Sequence, residues 1–202
     1  MTSGDFRALV GAMAAAIAEN ADHLTDLDSA IGDGDHGANM KRGFQAVLGE
    51  LDQLVANPVP NAIKAAGMKL VMTVGGASGP LVGTFFMTLG KELPADFDRD
   101  ALVTAYEKAV DAVAARGKSQ AGQKTMLDVL YPILDAAKHG ADLNQIAARA
   151  KAAAEATIPM LATRGRASFL GERSIGHMDP GAASVALLAG VVARTLPTHE
   201  GA

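Results

Sequence analysis

Apolar residues recur at three- and four-residue spacing along most of the chain, and the alternation that a β-strand needs is hard to find. Alanine, the best helix former, fills many of the intervening positions, so pattern and propensity point the same way. The spacing predicts eight helices: Asp5 to Ala21, Ala38 to Val55, Asn61 to Thr73, Gly79 to Leu89, Arg99 to Arg116, Thr125 to His139, Leu143 to Ala162 and Gly181 to Thr195. Between them, Asn57-Pro58-Val59-Pro60, Leu93-Pro94, Arg116-Gly117 and His139-Gly140 supply residues that end or redirect a helix. None of these breaks is long enough for an interdomain linker, and no internal repeat is evident. The expectation is an all-α fold with residues 1–202 in one domain.

Composition narrows the possible partners. The chain is 49% hydrophobic with a net charge of −4 and no run of basic residues, which removes the usual attraction for nucleic acid or anionic lipid. An anionic ligand must then be held locally, by a metal, by backbone amides or by single arginines. There is no cysteine, hence no disulfide, thiolate metal site or cysteine nucleophile. The N-terminal residues carry an acid where a secretory signal wants positive charge, and no run reaches the length that spans a bilayer. A soluble cytoplasmic protein is expected, with neither nucleic acid nor membrane as partner.

Against the helical background, glycine clusters stand out at Gly32 to Gly37, Gly75 to Pro80, Gly117 to Gly122 and Gly165 to Gly181. Each falls where one helix hands over to the next, and loops on a rigid scaffold are where binding chemistry is commonly placed. The first also holds Asp33 and Asp35, with Asp28 just before it. Three carboxylates this close repel one another, and a hard divalent cation relieves the repulsion while leaving positions open for phosphate oxygens. Gly32, Gly34 and Gly37 formally fit a dinucleotide fingerprint, but no buried strand precedes them and bare carboxylates would repel a pyrophosphate. A calcium loop starting at Asp33 fails at Ala38 and Phe44, where glycine and glutamate are required. Magnesium with phosphate remains, beside a plainer alternative in which Asp33 or Asp35 caps the next helix. His36 and Asn39 open that helix, where free N–H groups and the helix dipole favour an anion; a purely structural hydrogen-bonding role for His36 stays open.

In Gly75-Gly76-Ala77-Ser78-Gly79-Pro80 the near absence of side chains lets backbone amides approach an anion, and Ser78 adds a hydroxyl. The alternative is a tight interhelical turn. Arg116-Gly117-Lys118-Ser119 imitates the end of a Walker loop, yet Ala112 stands where its first glycine belongs and a helix precedes it. Protein-kinase motifs are also missing. In the last loop Arg166, between Gly165 and Ala167, has a free approach to a phosphate, whereas Arg173 can simply pair with a surface acid.

Together Gly32 to Met40, Gly75 to Phe86, Gly122 to Asp128 and Gly165 to Gly181 resemble the DhaL family, the nucleotide-binding subunit of dihydroxyacetone kinase. The resemblance implies a barrel of eight antiparallel helices that binds ADP or ATP at one end through two magnesium ions. It implies Asp28, Asp33 and Asp35 as metal ligands, and His36, Gly37, Ala38 and Asn39 with Ala77 and Ser78 as phosphate contacts. Gly117, Thr125 and Met126 would lie beside adenine and ribose, and Asp179, Pro180 and Gly181 would close over the nucleotide. Arg166 is the choice for the arginine at the phosphates, with Arg164 its rival. The resemblance further implies a separate DhaK subunit that holds dihydroxyacetone. In the phosphoenolpyruvate-linked form a DhaM subunit rephosphorylates ADP in place; in the other form ATP exchanges and the substrate can be a larger ketose such as erythrulose. A homodimer and a nucleotide-dependent contact with a transcription regulator are further partners the resemblance leaves open.

Overall fold

A computed structural model describes residues 1–196, and every statement below concerns those residues. They form ten α-helices, α1 (Ser3–Glu19), α2 (Ala21–Ile31), α3 (His36–Gly49), α4 (Leu51–Val55), α5 (Val59–Thr73), α6 (Ser78–Glu92), α7 (Arg99–Gly117), α8 (Leu127–Lys138), α9 (Leu143–Ala156) and α10 (Pro180–Thr195), with a 3-10 segment at Arg166–Ser174. The all-helical class stands, while the eight expected helices differ in three places.

The helix α2 was not expected, because most of its residues are polar. It forms because Leu24, Asp28 and Ile31 are buried at helical spacing while Asp22, His23 and Asp26 stay in water. The expected helix from Ala38 to Val55 divides at Glu50, where φ −104° and ψ 8° depart from helical values. The expected helix from Leu143 to Ala162 ends at Ala156, since the residues that follow leave the helix to bond elsewhere. Capping secures two starts: Thr2 and Asp5 exchange backbone-to-side-chain bonds at α1, and Asp142 and Gln145 do so at α9.

Packing neighbours close into a ring running α1, α3, α5, α6, α7, α8, α9, α10 and back to α1, with α2 laid against α3 and α10. Gly37 permits the closeness of α2 and α3, since a Cβ there would stand 1.9 Å from the Ala21 carbonyl oxygen. The ring encloses an apolar interior in which Phe44, Phe86, Phe85 and Tyr106 meet edge to face. A cavity of about 520 Å³ runs within it, apolar along most of its wall and polar at the end where Asp28, His36, Ser78 and Asp179 stand. No helix is long and apolar enough to cross a membrane.

Candidate functional site

Asp28 sits in the last turn of α2 and is nearly buried, at 7% exposure. One of its oxygens, Oδ2, accepts the N–H groups of Asp35 (2.9 Å) and His36 (3.1 Å), so a carboxylate eight residues upstream caps α3. Asp35 occupies the cap position itself, but its side chain makes no capping bond. The capping role therefore falls to Asp28, and the Asp33 and Asp35 carboxylates are not consumed by it. One oxygen from each of Asp28, Asp33 and Asp35 lies within 4.8 Å of the others. Gly32 makes this possible: a Cβ there would be 2.0 Å from the Asp28 Oδ1. An all-oxygen set with this much negative charge suits a hard cation such as magnesium better than zinc or copper. Arg166 reaches in from the 3-10 segment, with Nη1 3.0 Å from the Asp33 Oδ2.

His36 links two other loops to this one. Its Nδ1 is 2.9 Å from the Ser78 hydroxyl and its Nε2 is 2.6 Å from that of Ser184 on α10. Ser184 donates its proton to the Pro180 carbonyl at 3.0 Å, so it accepts from the imidazole, and Nε2 carries the hydrogen. Ser78 must then donate to Nδ1. Burial lowers the His36 pKa, against upward pulls from Asp28 and Asp35, which suits the neutral tautomer this chain of bonds requires. The imidazole and the Ser78 hydroxyl, both expected at the phosphates, are thus engaged with each other. In the first turns of α3 and α6 the N–H groups of Gly37, Ala38, Ser78 and Gly79 have no carbonyl one turn back within their helices, whereas the His36 N–H is taken by Asp28 and Pro80 has none.

Asn39 is buried behind this surface, and Arg42 fixes its amide by donating to Oδ1 at 2.7 Å and to the Thr73 carbonyl at 2.8 Å. The Asn39 Nδ2 then faces the loop at Gly76, whose φ of +64° places it beside Asp35.

The remaining candidates come from two later connections. Thr125 and Met126 precede α8, where the Asp128 carboxylate accepts the Thr125 N–H at 2.7 Å. Asp179 caps α10 by accepting the Ala182 N–H at 2.7 Å, with Pro180 at the first helical position. Burial pushes the Asp179 carboxyl up to about 7; Asp128 adds to this, while Lys124 and the bonds from Ala182 and Gly181 oppose it. Ala77, Thr125, Met126, Arg164, Arg166, Pro180 and Gly181 share the polar end of the cavity with the three aspartates. Gly37, Ala38 and Asn39 follow His36, which lines the cavity, at the start of α3. Gly117 ends α7 against Ser119 and Leu81, and Leu81 lines the cavity.

Sequence reasoning passed over Ser184, Arg42, Lys124, Thr157 and Ser174. Each has at least one partner remote in the chain, which no local pattern marks.

Residues 30–194 match the model of the DAK2 domain. The chain is 46% identical over 173 residues to the phosphoenolpyruvate-dependent dihydroxyacetone kinase 1 ADP-binding subunit DhaL of Listeria innocua, covering 85% of this chain and 86% of that one. It is 42% identical over 174 residues to the corresponding DhaL of Escherichia coli K12, covering 81% and 83%. Among solved structures it is similar to the dihydroxyacetone kinase of C. freundii, in the native form (TM-score 0.78) and in complex with AMP-PNP and Mg2+ (TM-score 0.74), at 26% identity in both. These cover 94% of this chain but only 34% and 33% of the kinase, so the chain spans about a third of that protein. A family match over most of the chain and two DhaL relatives above 40% identity agree, and the chain belongs to the DhaL family of DAK2-domain proteins.

Proposed function

We propose that this chain is the nucleotide-binding subunit of a dihydroxyacetone kinase, holding ADP or ATP at the polar end of its cavity while a DhaK-type subunit presents the acceptor. The observation that carries this reading is the convergence of Asp28, Asp33 and Asp35 within 4.8 Å, with the first turns of α3 and α6 beside them. The three aspartates would hold two magnesium ions. Bound magnesium would neutralise the phosphate oxygens and the charge that builds on them during transfer.

The chain's own groups do the rest. Amides of Gly37, Ala38, Ala77 and Ser78 receive phosphate oxygens, and Asn39 adds its Nδ2. His36, tied to both serines, keeps the two phosphate-bearing turns in register with α10. Arg166, already at the aspartates, supplies a planar donor pair to a phosphate. Gly117, Thr125 and Met126 border the base and ribose, and the Asp179-Pro180-Gly181 turn closes over the nucleotide. Positioning and charge, rather than a nucleophile, carry such a transfer.

In the form favoured by the two relatives named above, ADP remains bound and is rephosphorylated by a phosphohistidine of a DhaM-type subunit, which phosphoenolpyruvate feeds through the general phosphotransferase proteins. The test is reconstitution with DhaK and dihydroxyacetone. Nucleotide released on denaturing the purified chain, with product formed only when DhaM, the general phosphotransferase proteins and phosphoenolpyruvate are supplied, is the expected result. Many turnovers from added ATP without DhaM would overturn this form in favour of the ATP-exchanging one.

A further inference from the structure

The nucleotide reading leaves three buried polar side chains without a role: Lys124, Thr157 and Ser174, at 1%, 0% and 0% exposure. Lys124 is the most unusual. Its ammonium has three protons, and three carbonyls converge on it, from Ser174 (2.6 Å), Met160 (3.0 Å) and Ile158 (3.3 Å). Its backbone lies in the left-handed region at φ +62°, a conformation that costs a non-glycine residue about 1 kcal/mol or more. Burial lowers its pKa, and Asp179 pulls the other way.

The same carbonyls and their neighbours extend the knot. The Gly176 N–H also donates to the Ile158 carbonyl (2.8 Å), and the Thr163 N–H donates to that of Gln123 (3.3 Å). Ser174 accepts from the Ala162 N–H at 3.0 Å and donates to the Gly171 carbonyl at 2.7 Å. Thr157 accepts from the Asp179 N–H at 3.1 Å. Three stretches, 123–126, 157–163 and 174–179, are thereby fastened to one another outside any α-helix. They carry or adjoin Thr125 and Met126, Arg164 and Arg166, and Asp179 to Gly181.

An apolar side chain of similar size would fill this volume without the desolvation that a buried ammonium bears. What it would lack is the means to draw three carbonyls to one point. We propose that Lys124 is a positioning residue for the nucleotide: through the three carbonyls it holds, the ammonium sets where the arginine-bearing segment and the Asp179 turn stand over the site. This rests on the nucleotide reading proposed above.

The test uses the whole chain with Lys124→Met. With magnesium present, ADP affinity measured by calorimetry should fall at least tenfold while the far-UV circular dichroism is kept. Trypsin should cut faster after Arg164, Arg166 and Arg173, with cutting after Arg116 and Arg149 unchanged. Because the chain has no cysteine, Lys124→Cys creates a single thiol; aminoethylation in denaturant followed by refolding restores an ammonium of nearly lysine length and should recover ADP affinity, whereas carbamidomethylation should not. Unchanged ADP affinity in Lys124→Met, equal acceleration of cutting along the whole chain, or equal recovery with the neutral adduct would each overturn the positioning role. Failure of the wild-type chain to bind magnesium and ADP would instead remove the nucleotide reading, before the lysine is tested.

Discussion

Around Asp28 the side chains face the cavity and the backbone secures them; around Lys124 a side chain faces inward and secures the backbone. In the first region eight consecutive positions, 28–35, bring three carboxylates together, and α3 is capped by one of them. In the second, carbonyls of residues 158, 160 and 174 meet one ammonium, and the groups that face the nucleotide site lie on segments held from behind. A metal anchor needs fixed charges with little freedom, which a short loop between two helices provides. A surface that closes over a ligand needs several segments in register, which a buried tie between them provides.

Substitutions in the aspartate half separate binding from stability. The Asp33 side chain is 37% exposed and makes no capping bond, so Asp33→Ala should lower ADP affinity in magnesium by about 100-fold or more while circular dichroism and melting temperature barely change. Retained affinity would remove Asp33 from the metal site. Asp28→Ala should lose both, since it also strips the cap from α3; a stability loss of about 2 kcal/mol in urea titration is expected alongside the loss of binding. Equal stability of the two variants would mean that the cap at Asp28 contributes nothing.

This contrast also sets how far the sequence could be read. The aspartate loop is legible because its chemistry is contiguous, and the helices with long apolar faces are legible because their period is. The helix α2 was missed because its inner face is marked by little more than Ala21, Leu24 and Ile31, with the acid Asp28 among them. The Ser184 hydroxyl meets an imidazole 148 residues away, which no local spacing can foretell. Lys124 is harder still, since its partners are carbonyls, which every residue has.

Smaller effects probe the joints between the halves. Ser184→Ala leaves the His36 Nε2–H buried without its acceptor, and should cost about 1–2 kcal/mol of stability with a modest loss of ADP affinity. A variant as stable as the parent would show that the imidazole does not depend on the Ser184 hydroxyl for its Nε2 partner. For Asp179, whose carboxyl is raised from 3.8 to about 7, the folded chain keeps a proton that the unfolded chain has released between those values. Stability from this group is therefore present at low pH and is lost as pH rises through about 7. Asp179→Asn cannot titrate but can still cap α10, so its melting temperature relative to the parent should climb from pH 5 to pH 8. His36 titrates in both proteins and cancels in the difference. A flat difference would show that Asp179 is ionised throughout.

The most direct measurement is a calorimetric titration of the nucleotide-free chain with ADP, once in magnesium and once in EDTA. Binding at one site per chain in magnesium, abolished or weakened at least 100-fold in EDTA, is the expected result. The same affinity in both buffers would contradict a nucleotide held through metal on Asp28, Asp33 and Asp35.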